Sequence, residues 1–206
     1  MDMLRLEDTG EEEAARQAAK ALAEGGLVLY PTDTLYAIGA DATNPEAVAR
    51  LRELKGRDAK KPISVAVRSV EEMSRYGEMN AAARSLAERF LPGALTLVVP
   101  ATRRIPGDIQ LDGSIGIRVP DDGFARALVR AFDRPVTATS ANRSGLETPP
   151  TVEGVIAQLG PLASGIALAI DGGARAGALP STVVSCVGDA PYVLREGRIT
   201  REELDL

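Results

Sequence analysis

Five segments place hydroxyls, carboxylates or cations where an apolar run gives way to a loop, the usual setting for a functional group on a rigid scaffold. The first, YPTDTLYAIGAD at 30–41, carries Thr32, Asp33 and Thr34 directly after Pro31, which cannot donate to a strand ladder and so turns the chain out of it. The second, LKGRDAKKP at 54–62, flanks Gly56 with Lys55 and Arg57 and adds Lys60 and Lys61. Cations separated by a bare backbone can converge on a polyphosphate. The third, SIGIRVP at 114–120, sets Arg118 on the same strand face as Gly116 and Ser114; a guanidinium among apolar neighbours must be paired or must await an anion. The fourth, PVTATSANRSG at 135–145 followed by Thr148, crowds hydroxyls and Asn142 at the end of a buried strand, where each needs a partner. The fifth, PSTVV at 180–184 with Arg195 downstream, repeats the pattern.

Each segment alone also has an ordinary reading: a turn, a solvated charged face, or an arginine reaching to water. What is missing narrows the chemistry further. The 206 residues include no histidine and one cysteine, Cys186, which excludes imidazole bases, Ser-His-Asp triads, Cys/His zinc sites and internal disulfides. GxxxxGK[ST] and a strand-linked GxGxxG are both absent, so nucleotide binding here uses neither standard loop. Cations and hydroxyls without a nucleophile or base suit transfer at phosphorus, where positioning and charge neutralisation supply most of the catalysis.

The elements that must position these groups follow from periodicity and caps. Ala14, Ala15, Ala18 and Leu22 form one stripe of a helix over 11–24, which Gly25 and Gly26 end. Asn44-Pro45 opens a helix that delivers Lys55 at its C-terminal end. Ser69 with Glu72 has the form of a capping box, and Asn80 caps a helix reaching 90. Further helices are expected over 122–131 and 151–159. Apolar or alternating runs at 27–31, 63–67, 94–99, 114–119, 135–140, 166–170, 182–186 and 192–195 read as strands. A mixed sheet with helices packed on it is the economical solution.

With 45% apolar residues and no linker or repeat, residues 1–206 are expected to form a single domain. No run is long enough to cross a bilayer, and the N-terminus has no signal-peptide pattern, so a cytoplasmic location is expected with no membrane partner. The net charge of −5 argues against a general nucleic-acid coat. The charge is segregated, however: residues 1–24 hold seven acidic and three basic residues, and residues 50–61 hold six basic and two acidic.

Taken together, YPTDTLYAIGAD, LKGRDAKKPISVAV, FLPGALTLVV, SIGIRVP, TATSANRSG and PSTVV resemble, in order and over nearly the whole chain, the signatures of the YrdC-like family of threonylcarbamoyl-AMP synthases. The resemblance implies an α/β fold with an open twisted mixed sheet, flanking helices and a deep concave positive cavity. It implies synthesis of threonylcarbamoyl-AMP and pyrophosphate from L-threonine, bicarbonate and ATP, with Mg2+ bound through the phosphates and no separate metal ligands. The product would feed the tRNA threonylcarbamoyl-transfer machinery. Carried over by position, Lys55, Arg57 and Arg118 would be catalytic, and Thr34, Arg118, Ala138 and Ser181 would hold threonine. Lys55, Arg57, Lys61, Ser114, Ser140, Asn142, Thr148 and Arg195 would surround ATP. A histidine and an asparagine common in the family are replaced here, at or near Ala66 and at Lys61. The alternative is a module of the same fold that binds tRNA or double-stranded RNA without making an adenylate; 3% aromatic residues and no tryptophan argue against base-stacking platforms.

Overall fold

The protein is described from a computed structural model covering residues 1–56, 61–175, 177–188 and 190–206. The first half runs β1 (Asp2–Arg5), α1 (Leu6–Thr9), α2 (Glu11–Ala23), β2 (Leu27–Tyr30), β3 (Ala37–Gly39), α3 (Pro45–Lys55), β4 (Val65–Ala66), α4 (Val70–Tyr76), α5 (Ala81–Phe90) and β5 (Leu95–Pro100). The second half runs β6 (Ser114–Arg118), α6 (Gly123–Phe132), β7 (Val136–Thr137), β8 (Thr139–Ser140), α7 (Val152–Leu159), β9 (Ile166–Asp171), β10 (Thr182–Ser185), β11 (Tyr192–Arg195) and α8 (Arg201–Leu204).

The mixed α/β class holds, but the strands divide into two mixed sheets instead of one. One is five-stranded, in the order β1-β9-β2-β3-β8, and the other six-stranded, in the order β11-β10-β5-β6-β4-β7. The division falls inside the run 135–140, expected as one strand. Thr137 belongs to β7 and pairs with Val65 of β4, whereas Thr139 belongs to β8 and pairs with Ile38 of β3. Between them, the Ala138 amide donates to Ser64 O at 2.7 Å. The chain therefore crosses from one sheet to the other at Ala138. The Thr137 hydroxyl binds this crossing: it accepts from the Ala40 amide at 2.8 Å and reaches Ile38 O at 3.3 Å. That buried hydroxyl is satisfied by backbone, and it is not part of a ligand wall.

The expected helices form for the reasons their caps imply. Asn44 accepts from the Glu46 and Ala47 amides at the start of α3, and Gly56 ends that helix in the left-handed region at φ 57°. The alanine stripe of α2 is fully buried and packs against α6. Ser69 accepts from the Glu72 amide at the start of α4, but the Glu72 carboxylate turns to the backbone and guanidinium of Arg68. The expected capping box is thus half formed. A larger apolar core joins β2, β3, β5, β6 and β9 to α3, α5 and α7.

Candidate active site

A cavity of about 680 Å³ opens where the two sheets meet, within the range of small-molecule sites. Tyr30, Ala37, Thr139 and Ser140 reach it from the first sheet, and Ala66, Thr96, Gly116, Arg118, Val183 and Arg195 from the second. Thr34, Ala138, Ser181, Ser114, Asn142 and Thr148 also line it. Among the described residues, every site residue expected from the sequence except Lys55 and Lys61 therefore lines one recess.

Lys55 and Lys61 behave differently. Lys55 is 1% exposed and lies outside the lining. Its ammonium donates to Ser140 O, to Asn142 O at 2.9 Å and to Asn142 Oδ1 at 3.4 Å. Its own carbonyl accepts from the Ser144 amide at 3.0 Å. Lys55 therefore staples the loop after β8 to the end of α3, where the helix dipole also favours a cation, and does not present a charge to the cavity. Lys61 is exposed and also outside the lining, with Nζ 3.5 Å from Ser144 Oγ. Arg57 falls outside the described residues.

The stapled loop is ordered around one side chain. Asn142 Nδ2 donates to Arg143 O at 2.9 Å and Leu146 O at 2.6 Å, while its Oδ1 accepts from the hydroxyls of Ser140 and Thr148. This gathers two hydroxyls and an amide within the cavity lining. Elsewhere in the lining, Thr96 Oγ1 and Ser181 Oγ lie 2.9 Å apart, and Arg195 Nη2 donates to Ser181 O at 2.8 Å. Gly116 also lines the cavity, where a methyl would sit 2.6 Å from Ser64 Oγ.

Arg118 is only 6% exposed at its side chain, and its Nη2 lies 2.7 Å from Asp33 Oδ1, itself on a side chain 11% exposed. Gly93 O and Thr34 Oγ1 take further bonds from Nη2 and Nη1. The sequence left open whether Arg118 is paired or awaits an anion; it is paired with Asp33, and its Nε is buried without a hydrogen-bond partner among the described residues. Arg195 has no carboxylate partner among the described residues, and its pKa is lowered by desolvation and then by the nearby Arg118 charge. Arg118 and Arg195 thus bring two guanidiniums to one recess, the first of them paired with Asp33. Glu147 is the one carboxylate among the described lining residues.

Sequence reasoning did not assign Asp33, Thr32, Tyr36, Ser64, Thr96 or Glu147 to the site. Thr32 and Asp33 stood in the first segment, and Thr96 interrupts an apolar strand on alternation, so a signal existed for these. Ser64 and Glu147 join only through tertiary pairing.

Fold and cavity together define an α/β protein with a recess between two sheets lined by two arginines and several hydroxyls. The chain belongs to the family of Sua5, YciO and YrdC, described as Telomere recombination, which matches residues 20–197. It is 37% identical over 195 residues to the threonylcarbamoyl-AMP synthase of Bacillus subtilis, covering 92% of this chain and 55% of that one. A Methanocaldococcus jannaschii protein named provisionally for the same synthase is 34% identical over 205 residues, covering 98% of this chain and 96% of that one. The structure of Pyrococcus abyssi Sua5 complexed with L-threonine superposes with a TM-score of 0.90 at 34% identity, covering 99% of this chain and 59% of that one. Escherichia coli YciO superposes at 0.87 with 27% identity, covering 98% of both chains. The chain thus spans little more than half the length of the Bacillus and Pyrococcus relatives. No helix among the described residues is long and apolar enough to cross a membrane.

Proposed function

We propose that the chain is an L-threonylcarbamoyladenylate synthase, a nucleotidyltransferase that joins L-threonine, bicarbonate and ATP into threonylcarbamoyl-AMP with release of pyrophosphate. One observation carries the reading: Arg118, whose buried Nε has no hydrogen-bond partner among the described residues, and Arg195 share a single recess of about 680 Å³ with the hydroxyls of Thr34, Ser140, Thr148 and Ser181. The named synthases among the relatives, and the threonine complex of Pyrococcus Sua5, support it.

In this reading Arg118 holds the amino acid's carboxylate, with Thr34, Ala138 and Ser181 around the rest of the molecule. Ser114, Ser140, Asn142, Thr148 and Arg195 line the nucleotide side, and Lys55 acts by fixing the loop that carries three of them. A threonine carbamate is already nucleophilic, so its oxygen attacks the α-phosphorus without an enzymic base and pyrophosphate leaves. The absence of histidine is then no obstacle. Arg195 offsets charge that builds during the in-line displacement.

The triphosphate would bring Mg2+ with it. Its ligands would be phosphate oxygens for the most part, and Glu147 is a carboxylate of the cavity lining that could join them. When bound, the ion neutralises phosphate charge. The product would pass to the tRNA threonylcarbamoyl-transfer machinery.

The test is pyrophosphate release with each substrate omitted in turn and with serine in place of threonine. Release that requires bicarbonate and prefers threonine is expected. ATP consumption indifferent to both would remove the proposal.

A further inference from the structure

The hydroxyls beneath Arg118 form a chain whose proton directions are fixed. Thr32 Oγ1 lies 2.7 Å from Leu35 O, a carbonyl that can only accept, so the Thr32 proton points there. The Thr34 amide donates to Thr32 Oγ1 at 3.1 Å, and Thr34 Oγ1 lies 3.0 Å from the same oxygen. With its one proton committed, Thr32 must accept from the Thr34 hydroxyl. Thr34 Oγ1 in turn accepts from Arg118 Nη1 at 3.2 Å. Among the described residues this leaves Thr34, which lines the cavity, one lone pair and no proton to offer a ligand.

We infer that Thr32, a cavity residue with no role so far, is a positioning residue that locks Thr34 as an acceptor and thereby selects a nitrogen-bearing substrate beside Arg118. This rests on the proposed synthase reaction. A carboxylate taken by the Arg118 guanidinium places the adjoining α-nitrogen within range of Thr34, because the two protein groups are themselves in contact. That nitrogen carries N–H bonds as ammonium, as free amine and as carbamate, so a fixed acceptor serves it in every state. A hydroxyl free to rotate could instead donate to the amine lone pair, the electrons that must form the new C–N bond. Thr32 thus keeps the nucleophile unmasked without touching it.

Thr32→Val removes the lock at nearly constant volume, and Thr32→Ser retains it. In the pyrophosphate assay Thr32→Val is expected to raise KM for L-threonine about tenfold and to lower kcat, with KM for ATP within about twofold of the parent. Thr32→Ser is expected to stay within about threefold of the parent in both constants. A valine variant with the parent's threonine constants, or a serine variant as impaired as valine, overturns the inference. A second measurement uses the unsubstituted protein and so does not depend on how the valine variant folds. (S)-2-Hydroxybutyrate, which can donate at the α-position, is expected to compete with threonine at least about tenfold better than 2-oxobutyrate, which can only accept. No difference between them overturns the inference. Failure of the unsubstituted protein to release pyrophosphate with threonine would be a different result, removing the proposed function itself.

Discussion

The carboxylate of Asp33 sits with both oxygens on Arg118 Nη2, at 2.7 and 2.9 Å, in a pair almost withdrawn from solvent. Truncating one partner of such a pair costs more than the pair contributes, because the other charge stays buried. Asp33→Asn is therefore expected to destabilise the fold by about 3 kcal/mol in urea unfolding. It should also weaken threonine binding more than ATP binding, since the guanidinium loses its orientation. Stability unchanged within error would mean that Arg118 is positioned by other groups.

Lys55 is expected to behave as a structural residue. Its ammonium serves acceptors on Ser140 and Asn142, and removing a donor from buried acceptors costs about 1–3 kcal/mol for each one left unsatisfied. Lys55→Ala should lower the melting temperature and loosen the loop that carries Ser140, Asn142 and Thr148, so that ATP binding and turnover fall together with stability. An alanine variant as stable as the parent but inactive would return Lys55 to the role of a cation acting on phosphate.

Arg195 offers the opposite case, a cation at the cavity whose protein bonds go to Ser181. Arg195→Ala should leave the melting temperature of the free protein nearly unchanged. The upward shift produced by ATP and magnesium should shrink, with affinity lowered about tenfold as judged from its concentration dependence. An undiminished shift would place the phosphates elsewhere.

Glu72 gives a dependence on pH. Burial alone would raise its pKa, but hydrogen bonds from Arg68 and the charges of Arg68 and Arg75 outweigh this and hold it below the usual 4.5. A depressed folded-state pKa adds stability that is present above pH 4.5 and is lost as pH falls through the folded value. Glu72→Gln is thus expected to lower the melting temperature at pH 7, with the gap to the parent closing progressively below pH 4.5. A gap constant down to pH 3 would deny the ion pair its role.

Much of this architecture was legible because its signals are local. The alanine stripe of α2, the Asn44-Pro45 start of α3 and the apolar runs of β5 and β6 each lie within one element. β1 was not legible: DMLR is mostly exposed and becomes a strand only because β9 pairs with it. β3 and the break at Ala138 depend on Ala37 meeting Ser140, a pairing that no local pattern reports. The site follows the same rule. Hydroxyls after Pro31 and in the run 135–140 marked the cavity, and all but Thr137 of the hydroxyls singled out there reach it. The type and position of Lys55 resembled a phosphate ligand, but its acceptors lie 85 and 87 residues away, and only the fold brings them to it.

The most direct measurement is an interligand nuclear Overhauser experiment on the protein with magnesium, L-threonine and a non-hydrolysable ATP analogue. If amino acid and triphosphate meet in the recess between the sheets, cross-peaks join the threonine methyl group to the ribose 5′ protons, and Arg118→Ala abolishes them. Both ligands bound at saturating concentration with no cross-peak between them would contradict a shared site.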